Sequence, residues 1–355
     1  MRLEVRANPS AMATLLAGVG AVVFTLLVCA LLILWANANV FAAYGAIFQG
    51  ALGSQFAITE TLTRATPLML TGLAAAVAFR ARLYNIGAEG QLYFGAMAAV
   101  AASVAMSNEA GELALPTFIA MPLMIAAGAV AGAALLLIPT LLKTRFKVDE
   151  VVTTLLLNFI ALLFVSMLLD GPMKDPTAMG WPQSRALLPE LEFAKLVERG
   201  RVHIGLLIAI ALAIVLWIVM GFTRFGLSIR AVGANAKAAE FAGISVNATL
   251  IKVALLSGAL AGLAGVGEVA GRTSYVTLDM SPGYGFSGIV IAMLAALNPL
   301  GVVFASVFVG GAIVGADAMS RAVNVPTYIA DVIVATALIA VLVASLLTKY
   351  RVRWK

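Results

Sequence analysis

The sequence predicts an all-α protein, a polytopic membrane helix bundle with about ten transmembrane segments. Of its 355 residues, 62% are hydrophobic and only 11% are charged. A soluble domain of this length would be about a quarter charged. The apolar residues form long runs, and a run of about 20 crosses a bilayer as a helix. Membrane-spanning strands would instead alternate apolar and polar residues in segments of about ten, a pattern that this chain lacks.

The apolar runs give the elements in chain order. The candidate helices are residues 14–36, 62–79, 88–107, 117–141, 151–169, 204–222, 249–271, 284–298, 299–319 and 326–348. The first run is longer than the apolar core of a signal peptide, which has about 7–15 residues, so it is interpreted as a transmembrane helix. The eighth run is short, which predicts a re-entrant segment or a half-helix. We expect residues 1–355 to form a single transmembrane domain.

Lysine and arginine between the runs predict the orientation by the positive-inside rule. With a cytoplasmic N-terminus, the outer segments 37–61 and 108–116 hold no Lys or Arg, and both termini are cytoplasmic. Segment 170–203 is the exception, with five basic residues; it is long and also acidic, and we expect it to form a compact external cap. Residues 223–247 are the largest cytoplasmic loop. The net charge of +6 follows from this distribution, so no nucleic-acid partner is predicted.

Two stretches show weak similarity. "LTGLAAAVAF", from Leu70, precedes a polar break and then "GAMAAVAA", and "LSGALAGLAG", from Leu256, precedes "SPGYGFSGIVIAMLAA". In the predicted topology the first runs inward and the second outward. Inverted repeats with broken or re-entrant helices have this property, although a shared bias toward small residues also explains the similarity.

Glycines spaced one helical turn apart predict close helix packing. The pairs are Gly128 with Gly132, Gly258 with Gly262, Gly267 with Gly271, and Gly311 with Gly315. They favour a packed bundle without identifying a function.

The polar break lies in "FRARLYNIGAEGQLYFGAM", residues 79–97. Asn85, Glu89 and Gln91 surround two glycines there, between two apolar runs. A broken helix frees backbone groups that can bind a polar solute, so these side chains are candidate substrate-pathway residues. The alternative is that Glu89 only tethers the break to a neighbouring helix.

Further polar groups lie within the runs, where a charge costs at least about 2.5–3.5 kcal/mol. Asn158 and Tyr284 complete the five candidate pathway residues. Asp317 and Arg321 are four residues apart, the spacing of a pair on one helix face. We interpret the lone His203 as an interfacial residue rather than as part of a proton relay, because a relay would need partners.

The sequence contains a match to a nucleotide-binding motif, but we reject it. "GYGFSG", Gly283 to Gly288, matches GxGxxG but lacks the strand and soluble βαβ unit that the fingerprint requires. No P-loop motif occurs in the sequence. We therefore expect a chain without ATPase or other catalytic residues and without a metal or cofactor of its own.

The cytoplasmic loop contains "FGLSIRAVGANAKAAEFAGI", residues 225–244. Its alanine-rich centre predicts a short helix, with Asn235 as N-cap and Gly243 as the stop. The chemistry leaves two alternatives: a helix lying on lipid headgroups, or a docking helix for a cytoplasmic protein.

Three segments carry a family resemblance: "FRARLYNIGAEGQLYFGAM", "VDEVVTTLLLNFIA" (148–161) and "GLSIRAVGANAKAAEFAGI" (226–244). They resemble the permease subunits of bacterial ABC importers, in the branch of ribose, branched-chain amino-acid and nucleoside permeases, and "NIGAEGQ" is most similar to the nucleoside subgroup. The resemblance covers nearly the whole chain. Segment 170–203 has no counterpart in it.

The resemblance implies partners in a bacterial cytoplasmic membrane. They are a cytoplasmic ABC ATPase that binds ATP and Mg²⁺, a second permease subunit (identical or different), and an extracytoplasmic binding protein of the basic-membrane-protein type. Residues 234–242 resemble the family's coupling helix, which implies ATPase contacts at Asn235, Lys237, Glu240 and Phe241.

The predicted function is therefore a transmembrane subunit of an ATP-driven importer for nucleosides or purines. The alternatives are import of sugars or branched-chain amino acids, and an ion-coupled secondary transporter. The last would need intramembrane acids as ion sites, and the sequence offers Glu89, Glu268, Asp317 and Asp331.

Overall fold

The computed structural model of the chain describes residues 2–5, 11–108 and 111–353. Its elements, in chain order, are β1 (Arg2–Val5), α1 (Ala11–Trp35), α2 (Val40–Leu52), α3 (Gln55–Arg80), α4 (Ala88–Ala105), α5 (Thr117–Phe146), α6 (Glu150–Asp170), α7 (Gly205–Phe222), α8 (Arg224–Ala234), α9 (Ala236–Phe241), α10 (Val246–Glu268), α11 (Tyr284–Leu294), α12 (Pro299–Val323), α13 (Thr327–Lys349) and β2 (Tyr350–Arg353). A 3₁₀ turn (Pro189–Leu191) precedes α7, and a π turn (Val269–Thr273) extends α10.

Each predicted apolar run coincides with a helix. Among the described residues, six helices are long and apolar enough to cross a membrane: α3, α5, α6, α7, α10 with its π turn, and α12. A seventh candidate is the pair Val19–Trp35 and Val40–Leu52, bent by 118° at the break between them. α4, α11 and α13 also match predicted runs but are not among these. The all-α membrane bundle is confirmed, and the number of about ten spans is approximate.

Two helices were not predicted. α2 lies in the predicted outer segment 37–61, and its N-cap Asn39 accepts hydrogen bonds from the amides of Phe41 (2.9 Å) and Ala42 (3.0 Å). α8 begins after Thr223, whose hydroxyl accepts from the Gly226 amide at 3.1 Å. α3 also begins before the predicted run at residue 62, because the polar residues of its first turns lower the hydropathy without interrupting the helix.

The first compact unit comprises Met1–Arg64 and Val307–Lys355. Its helices α1 and α13 pack against each other, and β1 pairs antiparallel with β2. The pairing places the two ends of the chain on one side of this unit. α12 packs closely through the predicted small-residue pair, since a Cβ on Gly315 would lie 2.6 Å from the Ile47 carbonyl oxygen and one on Gly311 would lie 3.5 Å from Thr61.

The second compact unit is Ala65–Ser306, with α4, α5 and α10 at its centre. A Cβ on Gly132 would lie 2.3 Å from the carbonyl oxygen of Gly258, and one on Gly262 would lie 2.3 Å from that of Gly128. The two predicted glycine pairs thus face each other and let α5 and α10 approach closely. Gly271 packs against a side chain rather than against a helix backbone, because a Cβ added there would lie 2.2 Å from the imidazole of His203.

Segment 170–203, the predicted cap, is hydrogen-bonded to the chain that follows α10. The amides of Ser184, Leu187 and Phe193 donate to the carbonyls of residues 276, 274 and 270 at 3.0, 2.6 and 2.7 Å. Ser184 is fully buried, whereas Met179 is fully exposed. Met179 is therefore the better position for a labelling probe, and the side of the membrane that this segment faces stays a prediction.

His203 ends this segment and is buried in protein rather than lying at an interface, being 1% exposed. Its Nδ1 accepts a hydrogen bond from the Gly205 amide at 3.2 Å, and its ring lies 5.8 Å from that of Phe193. Desolvation by burial lowers the pKa of His203 to about 4. The imidazole is therefore neutral at physiological pH and fills the space above Gly271.

Candidate solute pathway and coupling surface

The break between α3 and α4 is held by a pair of buried amides. Asn85 Nδ2 donates to Gln91 Oε1 at 2.9 Å, and Gln91 Nε2 donates back to Asn85 Oδ1 at 2.8 Å. Asn85 also donates to Ser257 Oγ at 3.2 Å, and Ser257 donates to the Ala74 carbonyl at 2.8 Å. The network links α3, α4 and α10. The predicted residues Asn85 and Gln91 therefore lie together, 1% and 2% exposed, and fix the shape of the break.

Glu89 joins two helix N-termini. It lies in the first turn of α4, and its Oε2 accepts a hydrogen bond from the Gly285 amide, in the first turn of α11, at 2.6 Å. A Cβ on Gly285 would lie 2.2 Å from the Glu89 backbone nitrogen, so only glycine permits this approach. The positive ends of two helix dipoles meet at this point, and a carboxylate stabilises both.

Tyr284 fastens α11 to α3. The side chain is fully buried. Its carbonyl accepts from Thr71 Oγ1 at 2.9 Å, and its amide donates to Ser281 Oγ at 3.0 Å. Gly288, one turn further along α11, lies against Thr71. The structure thus brings Tyr284 to the same junction as Glu89, with α11 held by α3 and α4.

Asn158 flanks the break from α6 and is 1% exposed. Its Oδ1 accepts from the Gly90 amide at 2.5 Å, one residue beyond Glu89. Its Nδ2 has no hydrogen-bond partner among the described residues. A buried donor left unpaired costs about 1–3 kcal/mol, so this amide is a candidate pathway group with spare hydrogen-bonding capacity.

The second break, residues 274–283, separates the α10 π turn from α11. Arg272 pairs with Glu268 and donates to the Met280 carbonyl at 2.8 Å, and the Tyr93 hydroxyl donates to the Leu278 carbonyl. These contacts hold the non-helical chain against α4 and α10. The chain between α3 and α4 and the chain between the π turn and α11 are therefore both non-helical, and the inverted repeat itself stays a prediction.

The short eighth run contains the 11-residue helix α11, which is shorter than the helices able to cross a membrane by themselves. Val276 is bonded to Ser184, in the segment after the end of α6, whereas Ala295 and Leu297 line a cavity of about 340 Å³ with Arg80. Arg80 lies four residues before Tyr84, whose amide donates to Glu150 Oε1 in the first turn of α6 at 3.5 Å. Residues 276–297 therefore connect the surroundings of Ser184 with those of Arg80, the first part in turns and bends and the second part helical, and whether they cross the membrane or re-enter it stays a prediction.

The short helix α9 occupies the centre of the predicted coupling segment 234–242. Asn235 is its N-cap, with Oδ1 accepting from the Ala238 amide at 3.1 Å, and Gly243 follows with φ +81°. Lys237 and Glu240 are exposed, and Phe241 is 97% exposed. The helix buries only Ala239 within the chain. The Phe241 ring and the charged groups of Lys237 and Glu240 are therefore available for contact with a cytoplasmic protein or with lipid headgroups.

A cavity of about 480 Å³ lies beside α9. Its lining includes Ala236 of α9, the basic side chains Arg82 and Lys147, and the ion pair of Lys143 with Glu150. Arg82 and Lys147 follow helix ends in the left-handed conformation, with φ +54° and +59°. Sequence reasoning did not find this cavity, because it is formed by four separate segments of the chain.

A charged cluster in the first unit was also missed. Arg64 lies 3.6 Å from Glu60 (Nε to Oε1) and 3.7 Å from Asp317 (Nη2 to Oδ2). The ion pair of Asp317 is thus with α3 rather than with Arg321. The signal was present in the sequence: Arg64 interrupts an apolar run, and Glu60 lies just before the predicted start of that run.

Comparison with known proteins gives the family. Residues 57–342 match the family described as the permease component of the branched-chain amino acid transport system. The chain belongs to this permease family. It is therefore a multi-pass membrane transport subunit, as its fold indicates.

Several relatives of the permease are similar over most of their length. A glucose ABC transporter permease protein of Haloferax volcanii is 39% identical over 89% of this chain and 84% of its own. A guanosine ABC transporter permease protein of Bacillus subtilis is 34% identical over 90% of this chain and 91% of its own. A nucleoside ABC transporter permease protein of Lactococcus lactis is 32% identical over 89% of this chain and 87% of its own. No solved structure matches the permease.

Proposed function

We propose that this permease is the membrane-spanning subunit of an ATP-driven importer for nucleosides or related purines. The observation that carries the proposal is its family membership, together with relatives named for guanosine and nucleosides. The relative named for glucose, at 39% identity, favours a sugar as the second candidate. Guanosine, other nucleosides and glucose all carry a hydroxylated sugar ring, so we propose a neutral solute with such a ring.

The junction of α4 and α11 is proposed to line the translocation pathway. It combines two helix N-termini, the Glu89 carboxylate and the unpaired Asn158 amide donor. Such groups offer hydrogen bonds to a neutral solute without an ionic trap. Asn85, Gln91 and Tyr284 are buried and bonded within the protein, so their proposed contribution is to hold the broken helices in place, and solute reaches the junction when the bundle changes its access.

The proposed ATPase contact is α9, through Asn235, Lys237, Glu240 and Phe241. A six-residue helix is far too short to be stable alone, since isolated helices under about 12–15 residues are marginal in water. Its exposed Phe241 ring suits a groove in a partner. We propose that this partner binds ATP and Mg²⁺ and performs the hydrolysis.

The remaining assembly follows from this orientation. α9 and both termini are proposed to face the cytoplasm of a bacterial cell, with segment 170–203 outside; the pairing of β1 with β2 supports termini on a common side. A binding protein of the basic-membrane-protein type would deliver the solute from outside. A second permease, identical or different, would complete the pathway.

The test is co-expression of the permease with the ATPase encoded beside it, followed by measurement of ATP hydrolysis with a panel of solutes. Binding protein loaded with a nucleoside is expected to stimulate hydrolysis, and binding protein loaded with a branched-chain amino acid is not. The proposal would be contradicted if only the binding protein loaded with the amino acid stimulated hydrolysis, or if no ATPase co-purified with the permease.

A further inference from the structure

The cavity of about 340 Å³ beside Arg80 lies where membrane helices of the second unit end. Its lining comes from the last residue of α3, the last two turns of α7, the later half of α8 and the turn between α11 and α12. Both α3 and α7 are long and apolar enough to cross a membrane. The cavity therefore lies at the level where the hydrocarbon region gives way to lipid headgroups.

Two arginines are the charged side chains in the lining of this cavity. Arg80 and Arg230 are both half-buried, and no acidic side chain lines the cavity or pairs with either arginine within the described part of the chain. The cavity beside α9 differs, because Asp149 and Glu150 accompany its basic groups. Two unpaired like charges in one cavity repel each other, and a bound anion relieves that repulsion.

The other nitrogen groups of the cavity are also hydrogen-bond donors. Asn298 Oδ1 is used as the cap of α12, accepting from the Leu300 amide at 3.0 Å, which leaves the Asn298 Nδ2 group as a donor. The indole of Trp217 can only donate. A ligand suited to this lining is an acceptor with negative charge, and a guanidinium binds a phosphate through two parallel hydrogen bonds.

The surroundings of the cavity favour a lipid over a soluble phosphate compound. Trp217 lies edge-on against Phe222, with ring centroids 5.5 Å apart, and both rings are exposed. Tryptophans at helix ends lie at the headgroup level of a bilayer. Beside Trp217 on α7, the apolar side chains of Ile214 and Ile218 are exposed as well. This surface suits the acyl chains of a lipid whose headgroup occupies the cavity.

We infer that this cavity binds the phosphate of a net-anionic phospholipid, held by Arg80 and Arg230 with Asn298 as a further donor. Basic pockets between membrane helices are suited to such headgroups. A zwitterionic lipid brings an amine together with its phosphate, and the two arginines disfavour that amine. The leaflet rests on the proposed function, which places these helix ends on the cytoplasmic side. The binding itself does not depend on the identity of the transported solute.

The bound lipid stabilises the position of α8. This helix packs tightly on the end of α3, since a Cβ on Gly233 would lie 1.9 Å from the Arg80 carbonyl oxygen. One phosphate between Arg80 and Arg230 joins the same two helices through their side chains. A ligand that binds only the folded state raises its stability by mass action, so the lipid should raise the melting temperature.

The experiment titrates phosphatidylglycerol into detergent micelles that contain the full-length permease. Native mass spectrometry measures the fraction of permease that carries one lipid, and phosphatidylcholine is the comparison lipid. Arg80→Gln and Arg230→Gln are the test variants. Arg224→Gln is the matched control, because Arg224 is an exposed arginine on α8 outside the cavity lining. Melting temperatures are measured in the same micelles.

The wild type and Arg224→Gln are expected to bind one phosphatidylglycerol in preference to phosphatidylcholine and to melt at a higher temperature when it is bound. Each test variant should bind phosphatidylglycerol about tenfold more weakly, the effect of losing hydrogen bonds to a charged group. Equal affinity for the two lipids, or wild-type affinity in both test variants, would overturn the inference. The same result follows if inorganic phosphate raises the melting temperature as much as phosphatidylglycerol, because the ligand would then be a soluble anion.

Arg230→Lys provides a milder test in case glutamine prevents folding. The variant keeps the positive charge and loses the planar fork, so its affinity for phosphatidylglycerol should fall severalfold, and wild-type affinity would overturn the inference. Loss of ATPase co-purification in Arg230→Gln with lipid binding retained would assign the cavity to the ATPase and also overturn it. Absence of ATP-dependent uptake by the wild-type transporter would contradict the proposed function, which this binding measurement does not use.

Discussion

Replacement of Glu89 tests the junction between the two broken helices. In the structure the carboxylate accepts the Gly285 amide at 2.6 Å and lies at the positive end of α11. A hydrogen bond to a charged group contributes about 1.5–3 kcal/mol, against about 0.5–1.5 kcal/mol for a neutral one. Glu89→Gln keeps an acceptor and is expected to cost about 1–1.5 kcal/mol. Glu89→Ala leaves the Gly285 amide unpaired and is expected to cost about 2–3 kcal/mol.

We propose that these energies act on the access equilibrium, with α4 and α11 in contact in one access state and separated in the other. A ligand or contact shifts an equilibrium by its differential free energy between the states. A loss of about 2 kcal/mol corresponds to roughly a 30-fold change. We therefore expect Glu89→Ala to reduce solute uptake by at least about tenfold, and Glu89→Gln to have an intermediate effect.

The assay is ATP-dependent uptake into proteoliposomes, with co-purification of the ATPase as the measure of assembly. Glu112→Gln is the matched control, since Glu112 is exposed in a connecting segment. Uptake should fall in the order wild type, Glu89→Gln, Glu89→Ala, with assembly unchanged. Wild-type uptake by Glu89→Ala would refute the reasoning about the junction.

Three further predictions follow from other parts of the chain. Phe241→Ala is expected to release or uncouple the ATPase, whereas Lys237→Ala should be mild because rim charges contribute about 0–1 kcal/mol; wild-type co-purification and coupling in Phe241→Ala would favour the lipid-interface alternative. A cysteine at Met179, in a Cys29→Ser background, should react with an impermeant thiol reagent added outside, and labelling only after membrane disruption would overturn the predicted topology from α6, the fifth predicted helix, onward. The neutral, buried His203 contributes stability that is present above its unfolded pKa of about 6.5 and is lost as pH falls toward its folded pKa of about 4, up to roughly 3 kcal/mol. The melting temperature of the wild type should therefore fall more between pH 7 and 4.5 than that of His203→Gln, and equal falls would contradict the buried imidazole.

The apolar runs predicted the helices because twenty-residue hydropathy is a local property of the chain. α2 was not predicted because the polar residues on both sides of it resemble those of a loop, and its N-cap Asn39 is a weak local signal. Glycine spacing predicted the packing of α5 on α10, where Gly132 meets Gly258, since close backbone approach depends on small residues.

The contacts of the candidate site could not be predicted in the same way. Glu89 bonds to Gly285, 196 positions away, and Arg64 pairs with Asp317 across an even longer interval. Such partners depend on tertiary arrangement and leave no local pattern. The rejected GxGxxG match illustrates the point: Gly283 has φ +87°, and Gly285 and Gly288 touch α4 and α3. The spacing serves helix packing in this chain.

The most direct test of the central claim is uptake of labelled guanosine by proteoliposomes containing the permease, its partner permease, the ATPase and the binding protein. ATP on the side of the ATPase should drive accumulation above the external concentration, and a proton ionophore or sodium removal should leave it unchanged. Omission of ATP or of the ATPase should abolish it. Accumulation that persists without ATP and collapses with the ion gradient would contradict the account and favour an ion-coupled transporter.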